Sequence, residues 1–241
     1  MDKENPSYRR EDKYYVPINI YQSLLKDLSY FTKPDEYSID QDFYNVYSIY
    51  FDNIDLTSYH HKVEGRADRF KIRLRFYASD IKSGQINAEI KYKFSDHGSK
   101  KKVIIDIESF KKIISGERIS PDDFLDIPEL KTFIAAKKLG NFFPFIRINY
   151  QRQALFSKID RNIRINFDRK VDCCRLKAGS CEGSYISALS ANKIILEIKY
   201  PGYLPYWLVY ILRKYSLQRS SISKYVLAVQ NLAVNSSMNI K

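Results

Sequence analysis

The run Arg69-Phe-Lys-Ile-Arg-Leu-Arg-Phe-Tyr77 alternates strictly: Arg69, Lys71, Arg73, Arg75 and Tyr77 hold one parity, and Phe70, Ile72, Leu74 and Phe76 the other. That spacing predicts a β-strand with two unlike faces. Neighbouring cations on it stand ~7 Å apart, because a strand rises ~3.3 Å per residue. At an effective dielectric of ~20, each adjacent pair repels by roughly 2 kcal/mol. Such a row either loses its field to water, as on the wet face of an antiparallel sheet, or holds a polyanion along the strand.

Other predicted strands repeat the pattern. In Tyr8 to Val16, Arg9, Glu11, Lys13 and Tyr15 share a face; in Gln85 to Phe94, Asn87, Glu89, Lys91 and Lys93 alternate with apolar residues. Arg164, Asn166 and Asp168 oppose Ile163, Ile165 and Phe167, and Glu197 shares a face with Lys199 in Lys193 to Tyr200. The carboxylates Glu11, Glu89, Asp168 and Glu197 offset part of the repulsion. Cations outnumber them, so a bound anion, or an anion with a metal, is expected to balance the charge.

The elements that must position these residues follow from pattern and punctuation. A helix is predicted from Pro17, with Ile20, Leu24, Leu25 and Leu28 at helical spacing and Pro34 as its stop. Val46 to Asp52 reads as a strand, and Asp55 as the N-cap of a short helix through about Lys62, ended by Gly65. A hairpin is expected at Ser83-Gly84, and a strand at Lys102 to Ile107. One or two helices run from Ser120-Pro121 to Leu139, stopped by Gly140. Phe145 to Leu155 and Ile163 to Asp168 are strands; residues 172–192, small and polar, read as loop. Pro205 opens a helix through about Tyr215, and Ser220 to Val229, with Lys224, follows.

With helices available to cover the apolar faces, the charged faces are expected to line a closed lumen, which also removes exposed edges. The expected fold is α+β: an antiparallel β-barrel tunnel with helices packed outside, one domain over residues 1–241.

The net charge of +12 favours polyanionic partners: nucleic acid, phosphorylated metabolites or an anionic membrane surface. The first residues lack an apolar signal core, and no run approaches the ~18 apolar residues of a membrane span. The chain is therefore expected to be soluble and cytoplasmic. Cys173, Cys174 and Cys181 are odd in number, sit in one polar stretch, and are expected to be reduced thiols. Only His60, His61 and His97 could join them, and none is near, which argues against zinc.

Taken in order, Tyr50-Phe-Asp52, Tyr59-x-x-Lys62-x-x-Gly65, Lys71-x-Arg73-x-Arg75-x-Tyr77, Glu89-x-Lys91, Tyr150-x-Arg152, Arg164-x-x-x-Asp168, Glu197-x-Lys199 and Ser223-Lys224-Tyr225 resemble the vacuolar transporter chaperone (VTC) domain. That is a polyphosphate polymerase domain of the triphosphate tunnel metalloenzyme superfamily, and the resemblance spans nearly the whole chain. The wider superfamily's Glu-x-Glu-x-Lys on the first strand is here Arg9-x-Glu11-x-Lys13, one carboxylate fewer, which leans toward the polymerase branch over two-metal hydrolysis.

The resemblance implies a tunnel barrel of the free-standing bacterial type that binds ATP or another nucleoside triphosphate, with inorganic polyphosphate or triphosphate and one divalent metal, Mn²⁺ or Mg²⁺. The implied activity is an ATP-dependent phosphotransferase extending a polyphosphate chain. Arg73 and Arg75 are expected to grip phosphate oxygens as planar forks and, with Lys199, to form the catalytic set. Lys13, Lys62, Lys71, Lys91, Arg152, Arg164 and Lys224 are expected to bind substrate. Arg152 shares parity with Ile146, Ile148 and Tyr150, and so is expected to need a bulge or the strand's end to face inward. Glu197 is the expected metal ligand, with Glu89 a possible assistant. The rival expectations are a tripolyphosphatase or nucleoside triphosphatase of the same fold, and a non-catalytic polyphosphate- or RNA-binding module.

Overall fold

Alternation of apolar and charged residues along the strands that carry the charged faces decides which face is covered by helices. The computed structural model describes residues 9–38, 42–77, 85–94, 97–117, 119–124 and 126–238. The expected start at Tyr8 and the hairpin at Ser83-Gly84 lie outside the described residues. The chain forms two compact units, each from three segments. Met1–Tyr44, Tyr150–Val171 and Leu189–Ser223 make one, and Asn45–Asn149, Asp172–Ala188 and Lys224–Lys241 the other.

The first unit contains β1 (Arg9–Pro17), α1 (Ile18–Ser29) and β2 (Thr32–Pro34). The second begins with β3 (Tyr44–Asp52), α2 (Thr57–Val63), β4 (Arg69–Phe76), β5 (Ile86–Phe94) and β6 (His97–Ile105), followed by α3 (Ile107–Ser115) and α4 (Pro128–Leu139). β7 (Phe143–Ser157) and β8 (Arg164–Lys177) contribute to both units; β9 (Ser180–Ser187) belongs to the second, β10 (Lys193–Pro201) and α5 (Tyr206–Lys214) to the first, and α6 (Lys224–Met238) to the second.

In the first unit the strand order is β1-β10-β8-β7, with β2 beside β7. Tyr14 and Val16 of β1, Leu196, Ile198 and Tyr200 of β10, and Ile165 and Phe167 of β8 pack with Tyr21, Leu24 and Leu28 of α1 and Leu208, Ile211 and Leu212 of α5. Each such side chain, fully buried, stabilises the fold by roughly 1.5–3 kcal/mol. In the second unit the order is β7-β3-β4-β5-β6, with β9 beside β8. Its core joins Ile49 and Phe51, Ile72, Leu74 and Phe76, and Ala88 and Ile90 to Phe110 and Ile113 of α3 and Leu130, Phe133 and Ile134 of α4.

The α+β class and the antiparallel pairing are as expected: β1–β10, β10–β8, β3–β4, β4–β5 and β5–β6 are all antiparallel. The closed barrel is not what the pairing draws. Among the described residues, the order within each unit is an open path.

Local departures have identifiable causes. Pro34 does not stop α1, which ends at Ser29; Thr32–Pro34 instead pairs with β7, Thr32 opposite Ser157. Asp55 is not the cap of α2. The carboxylate of Asp52 accepts from the amides of Ser58, at 2.9 Å, and Tyr59, at 3.1 Å. Ile107 extends the alternation of Val103 and Ile105, yet it opens α3, because Asp106 accepts from the Ser109 amide at 2.7 Å and caps a helix there.

Residues 172–192 are not loop: β8 continues to Lys177, turns at Ala178 and Gly179 (φ +49° and +79°), and returns as β9. The left-handed pair at the turn suits glycine at its second position. This hairpin overturns the expectation of reduced thiols. It brings Cys174 and Cys181 together as a disulfide with their Cα atoms 5.7 Å apart, leaving Cys173 a buried free thiol.

Candidate functional site

The expected site residues fall into two clusters, one in each unit, on the strand faces opposite the cores. In the second unit β4 carries Lys71, Arg73 and Arg75 between Tyr50 and Ser48 of β3 and Glu89, Asn87 and Lys91 of β5. Register places Tyr50 and Glu89 on either side of Arg73. The Arg73 guanidinium donates to Glu89 Oε2 from Nε at 2.6 Å and to the Tyr50 hydroxyl from Nη1 at 3.2 Å. Glu89 Oε1 accepts from Lys100 Nζ of β6 at 3.0 Å. Glu89 is buried, which raises a carboxyl pKa, but Arg73, Arg75 and Lys100 outweigh that and hold it well below the usual carboxylate range. Its two oxygens are thus already engaged by cations.

Arg75 is buried, with Nε 3.4 Å from the Ser48 hydroxyl. Tyr50 is also buried. Burial alone would raise its phenol pKa, but Arg73, Arg75 and Lys71 bring it down to about 8. Its ring stacks on Tyr225 of α6 at 5.3 Å, Lys71 Nζ lies 5.2 Å from the Tyr225 centroid, and the Tyr225 hydroxyl donates to Asp52. Lys224, the first residue of α6, is buried beside Tyr225; Lys62 is half-buried on α2, and Lys91 is exposed on β5.

In the first unit β1 and β10 form a charge lattice. Lys13 opposes Glu197, and Glu11 opposes Lys199. Lys13 Nζ lies 3.0 Å from Glu11 and 3.6 Å from Glu197, and Lys199 Nζ 3.1 Å from Glu197 and 3.9 Å from Glu11. Next on β8, Arg164 donates to Asn166 Oδ1 at 3.1 Å and to Asp35 Oδ2 at 3.0 Å. Arg152 of β7 forks onto Asp168, with Nε to Oδ1 at 2.7 Å and Nη2 to Oδ2 at 2.8 Å. Both partners are buried. Burial works against the guanidinium's charge, but Asp168, Tyr150 and Glu197 outweigh it and raise its pKa well above normal. The expected bulge is unnecessary: Tyr150 and Arg152 share parity, and that face is the one on which Asp168 waits.

Three buried polar atoms, Asp35 Oδ1, Asn87 Oδ1 and Asn166 Nδ2, have no partner among the described residues. Asp35 and Asn166 hold Arg164, and Asn87 opposes Arg75. Uncommitted polar capacity thus sits beside the arginines of both clusters.

Lys100, Asp35 and Asn166 were not legible as site residues. Lys100 precedes the strand start expected at Lys102; register sets it opposite Lys91, from where its Nζ reaches Glu89 diagonally. Asp35 reaches Arg164 across a separation of 129 residues. Asn166 lay on the right parity but carries no charge.

Among the described residues no group of three His, Cys, Asp or Glu side chains comes together to hold a metal. Glu197 and Glu11 still offer hard oxygens on adjoining strands. That suits an Mg²⁺-like cation that takes one or two carboxylates and completes its shell with phosphate oxygens and water. Glu89 belongs to the other cluster.

Two clefts of about 410 and 620 Å³ in the second unit are lined by residues outside both clusters. Among the described residues, no helix is long and apolar enough to cross a membrane.

No curated protein matches the chain. Among solved structures, a candidate adenylate cyclase from Vibrio parahaemolyticus superposes with a TM-score of 0.50 at 10% identity, over 92% of this chain and 98% of that one, which shows a shared fold. The Mediator head module of Schizosaccharomyces pombe gives 0.44 at 8% identity, over 86% of this chain and 90% of that one. The VTC domain model matches residues 8–233, the span that holds both charged clusters, and the chain belongs to the VTC domain family.

Proposed function

We propose that the chain is an ATP-dependent polyphosphate polymerase, working in the cytoplasm with one Mn²⁺ or Mg²⁺. The observation that carries this reading is the face of β4 and its neighbours, where Lys71, Arg73, Arg75, Lys91 and Lys100 share one face with Glu89, which binds Arg73 and Lys100. Asp52, at the end of β3, is already committed to the amides of Asn53, Ser58 and Tyr59 and to the Tyr225 hydroxyl. The surplus cations call for a ligand with regularly spaced negative charge, and the family supports polyphosphate as that ligand. The enclosed tunnel implied by the resemblance belongs to the same proposal, supported by the sorting of charged and apolar faces within each unit.

The terminal oxygen of the growing chain attacks the γ-phosphorus, the bond from that phosphorus to the β-bridging oxygen breaks, and ADP leaves. Arg73 and Arg75 would bind equatorial oxygens in pairs, where charge is spread in the transition state. In the first unit, Lys199 and Lys13 would hold phosphate oxygens, and Arg164 would be kept in place by Asp35 and Asn166. Lys62, Lys71, Lys91, Arg152 and Lys224 complete the proposed substrate set. A metal would be held by Glu197, with Glu11 beside it, and would neutralise charge on the phosphates.

The test is to incubate the purified protein with ATP and Mn²⁺ or Mg²⁺ and resolve the products by gel. A ladder of lengthening polyphosphate with ADP is expected; orthophosphate without chain growth would select hydrolysis. Glu197→Gln sharpens this. The amide keeps a hydrogen-bonding oxygen for Lys13 and Lys199 but lacks the charge a hard cation needs. Synthesis should therefore collapse and the Mn²⁺ requirement rise, while metal-free triphosphate binding is retained. Unchanged synthesis across an Mn²⁺ titration would remove the metal role.

A further inference from the structure

Away from both clusters, the first unit exposes a group of large side chains around the end of α1, the start of α5 and the turn between β7 and β8. Tyr206 and Tyr210 stand one turn apart on α5, 85% and 61% exposed, and Tyr203, just before the helix, is 85% exposed. Tyr30, after α1, is 69% exposed, and Ile159, in the turn between β7 and β8, 71%. Three contacts gather them. Phe31 stacks on Trp207 with centroids 4.8 Å apart, joining the end of α1 to the start of α5. Lys158 Nζ donates to the carbonyls of Ser29 at 2.8 Å and Tyr30 at 3.4 Å. The Lys158 amide donates to the Phe31 carbonyl at 2.8 Å, which draws the Ile159 turn against the same end of α1.

Cations surround this patch. Arg213 is exposed one turn beyond Tyr210, Arg10 lies 5.4 Å from the Tyr203 ring centroid, and Lys158 and Arg161 flank Ile159. The nearby carboxylates are committed: Asp27 accepts from Lys214 at 2.6 Å and from Tyr215 at 2.9 Å, and Asp160 from the Asn162 amide of its own turn at 2.9 Å.

We propose that this tyrosine and isoleucine patch, rimmed by Arg10, Lys158 and Arg213, docks the protein on an anionic membrane surface. Tyrosine suits the headgroup boundary because its ring is apolar and its hydroxyl remains wet. The basic rim supplies attraction to anionic lipid, worth about 1 kcal/mol per cation near the surface. A single-stranded nucleic acid would use the rings as stacking planes and gain nothing from Ile159, whereas an aliphatic tip inserts at the acyl boundary. The proposal is independent of the polyphosphate reading.

The test is flotation of the full chain with vesicles of phosphatidylglycerol and phosphatidylcholine, beside vesicles of phosphatidylcholine alone. The wild-type chain should float with the anionic vesicles at low ionic strength and much less with neutral ones. The triple variant Ile159→Ser, Tyr206→Ser, Tyr210→Ser keeps the charge of the chain, and should lose about tenfold or more in vesicle affinity while its thermal shift with triphosphate is unchanged. No flotation of the wild-type chain, or equal flotation of the variant, would overturn the proposal. So would a patch-dependent affinity for single-stranded RNA exceeding that for the vesicles. Should the triple variant fail to fold, Tyr206→Ser with Arg213→Glu on the exposed face of α5 gives the same reading.

Discussion

Arg73 and Arg75 share a face and a chemistry but not an environment. Among the described residues Arg73 is one of two cations bonded directly to Glu89, so Arg73→Ala leaves a buried carboxylate bonded to Lys100, with Arg75 acting only through its field. The expected loss of stability is about 2 kcal/mol, below the roughly 3–5 kcal/mol of breaking a fully buried pair, because Lys100 remains. Among the described residues the Arg75 side chain has one long bond, to Ser48, and its removal trades relief of repulsion from Arg73 against lost attraction to Glu89, so Arg75→Ala should change stability by less than about 1 kcal/mol. Both variants should lose synthesis by about 100-fold or more. Melting curves beside product gels check this, and equal drops in Tm would refute the distinction.

Tyr50 gives a second expectation at this scale. Facing Arg73, Arg75 and Lys71 of β4 and Tyr225 of α6, its phenol titrates at about 8, against an ordinary value of 10.0. A depressed acid adds stability above its ordinary value and loses it as pH falls through the folded value, so ligand-free stability should rise from pH ~8 to ~10. Lys100 works in the same direction. Burial lowers its pKa to about 8, with Arg73 and Arg75 adding to the shift and Glu89 opposing it, although its half-exposed side chain lets solvent weaken the effect. Triphosphate binding should weaken over the same range, because the phenolate competes for the arginines while Lys100 loses its charge. Thermal shift against pH measures both trends. Tyr50→Phe should leave only the Lys100 part, and an unaltered profile in that variant would show that Tyr50 does not ionise there.

At the scale of elements, the same physics explains what was and was not readable. The charged strands announced themselves because both faces had a defined environment. β9 did not: most of Ser180–Ser187 is exposed and polar, so no alternation marks it, and it exists by pairing with β8 beyond the Ala178-Gly179 turn. α3 was hidden by its first residue, since Ile107 fits a strand as well as a helix until Asp106 is seen to cap it. Asp106→Ala should therefore cost about 1 kcal/mol and lower the Tm, with Asp106→Asn recovering most of it. Equal stability of Asp106→Ala and wild type would mean that the burial of Phe110 and Ile113 holds the helix unaided.

At the scale of the whole molecule, a net charge of +12 makes ligand binding and folding one problem. Triphosphate or longer polyphosphate should raise the Tm, by an amount equivalent to roughly 2.7 kcal/mol at ~100 times its dissociation constant. Orthophosphate should do much less, and added salt should erode the exposed part of the effect first. An equal shift with single-stranded nucleic acid would favour a general polyanion binder. The sequence by itself determined which residues share a face: Lys71 with Arg73 and Arg75, and Glu197 with Lys199. The direction of a side chain along a strand follows from backbone stereochemistry two residues at a time. Only the tertiary structure decided which carboxylate answers which cation, giving Glu89 to Arg73 and Lys100, Asp168 to Arg152, and Asp35 to Arg164. Those matches depend on strand register and on loops distant in sequence, which are set by the summed burial of many side chains and leave no local pattern to read.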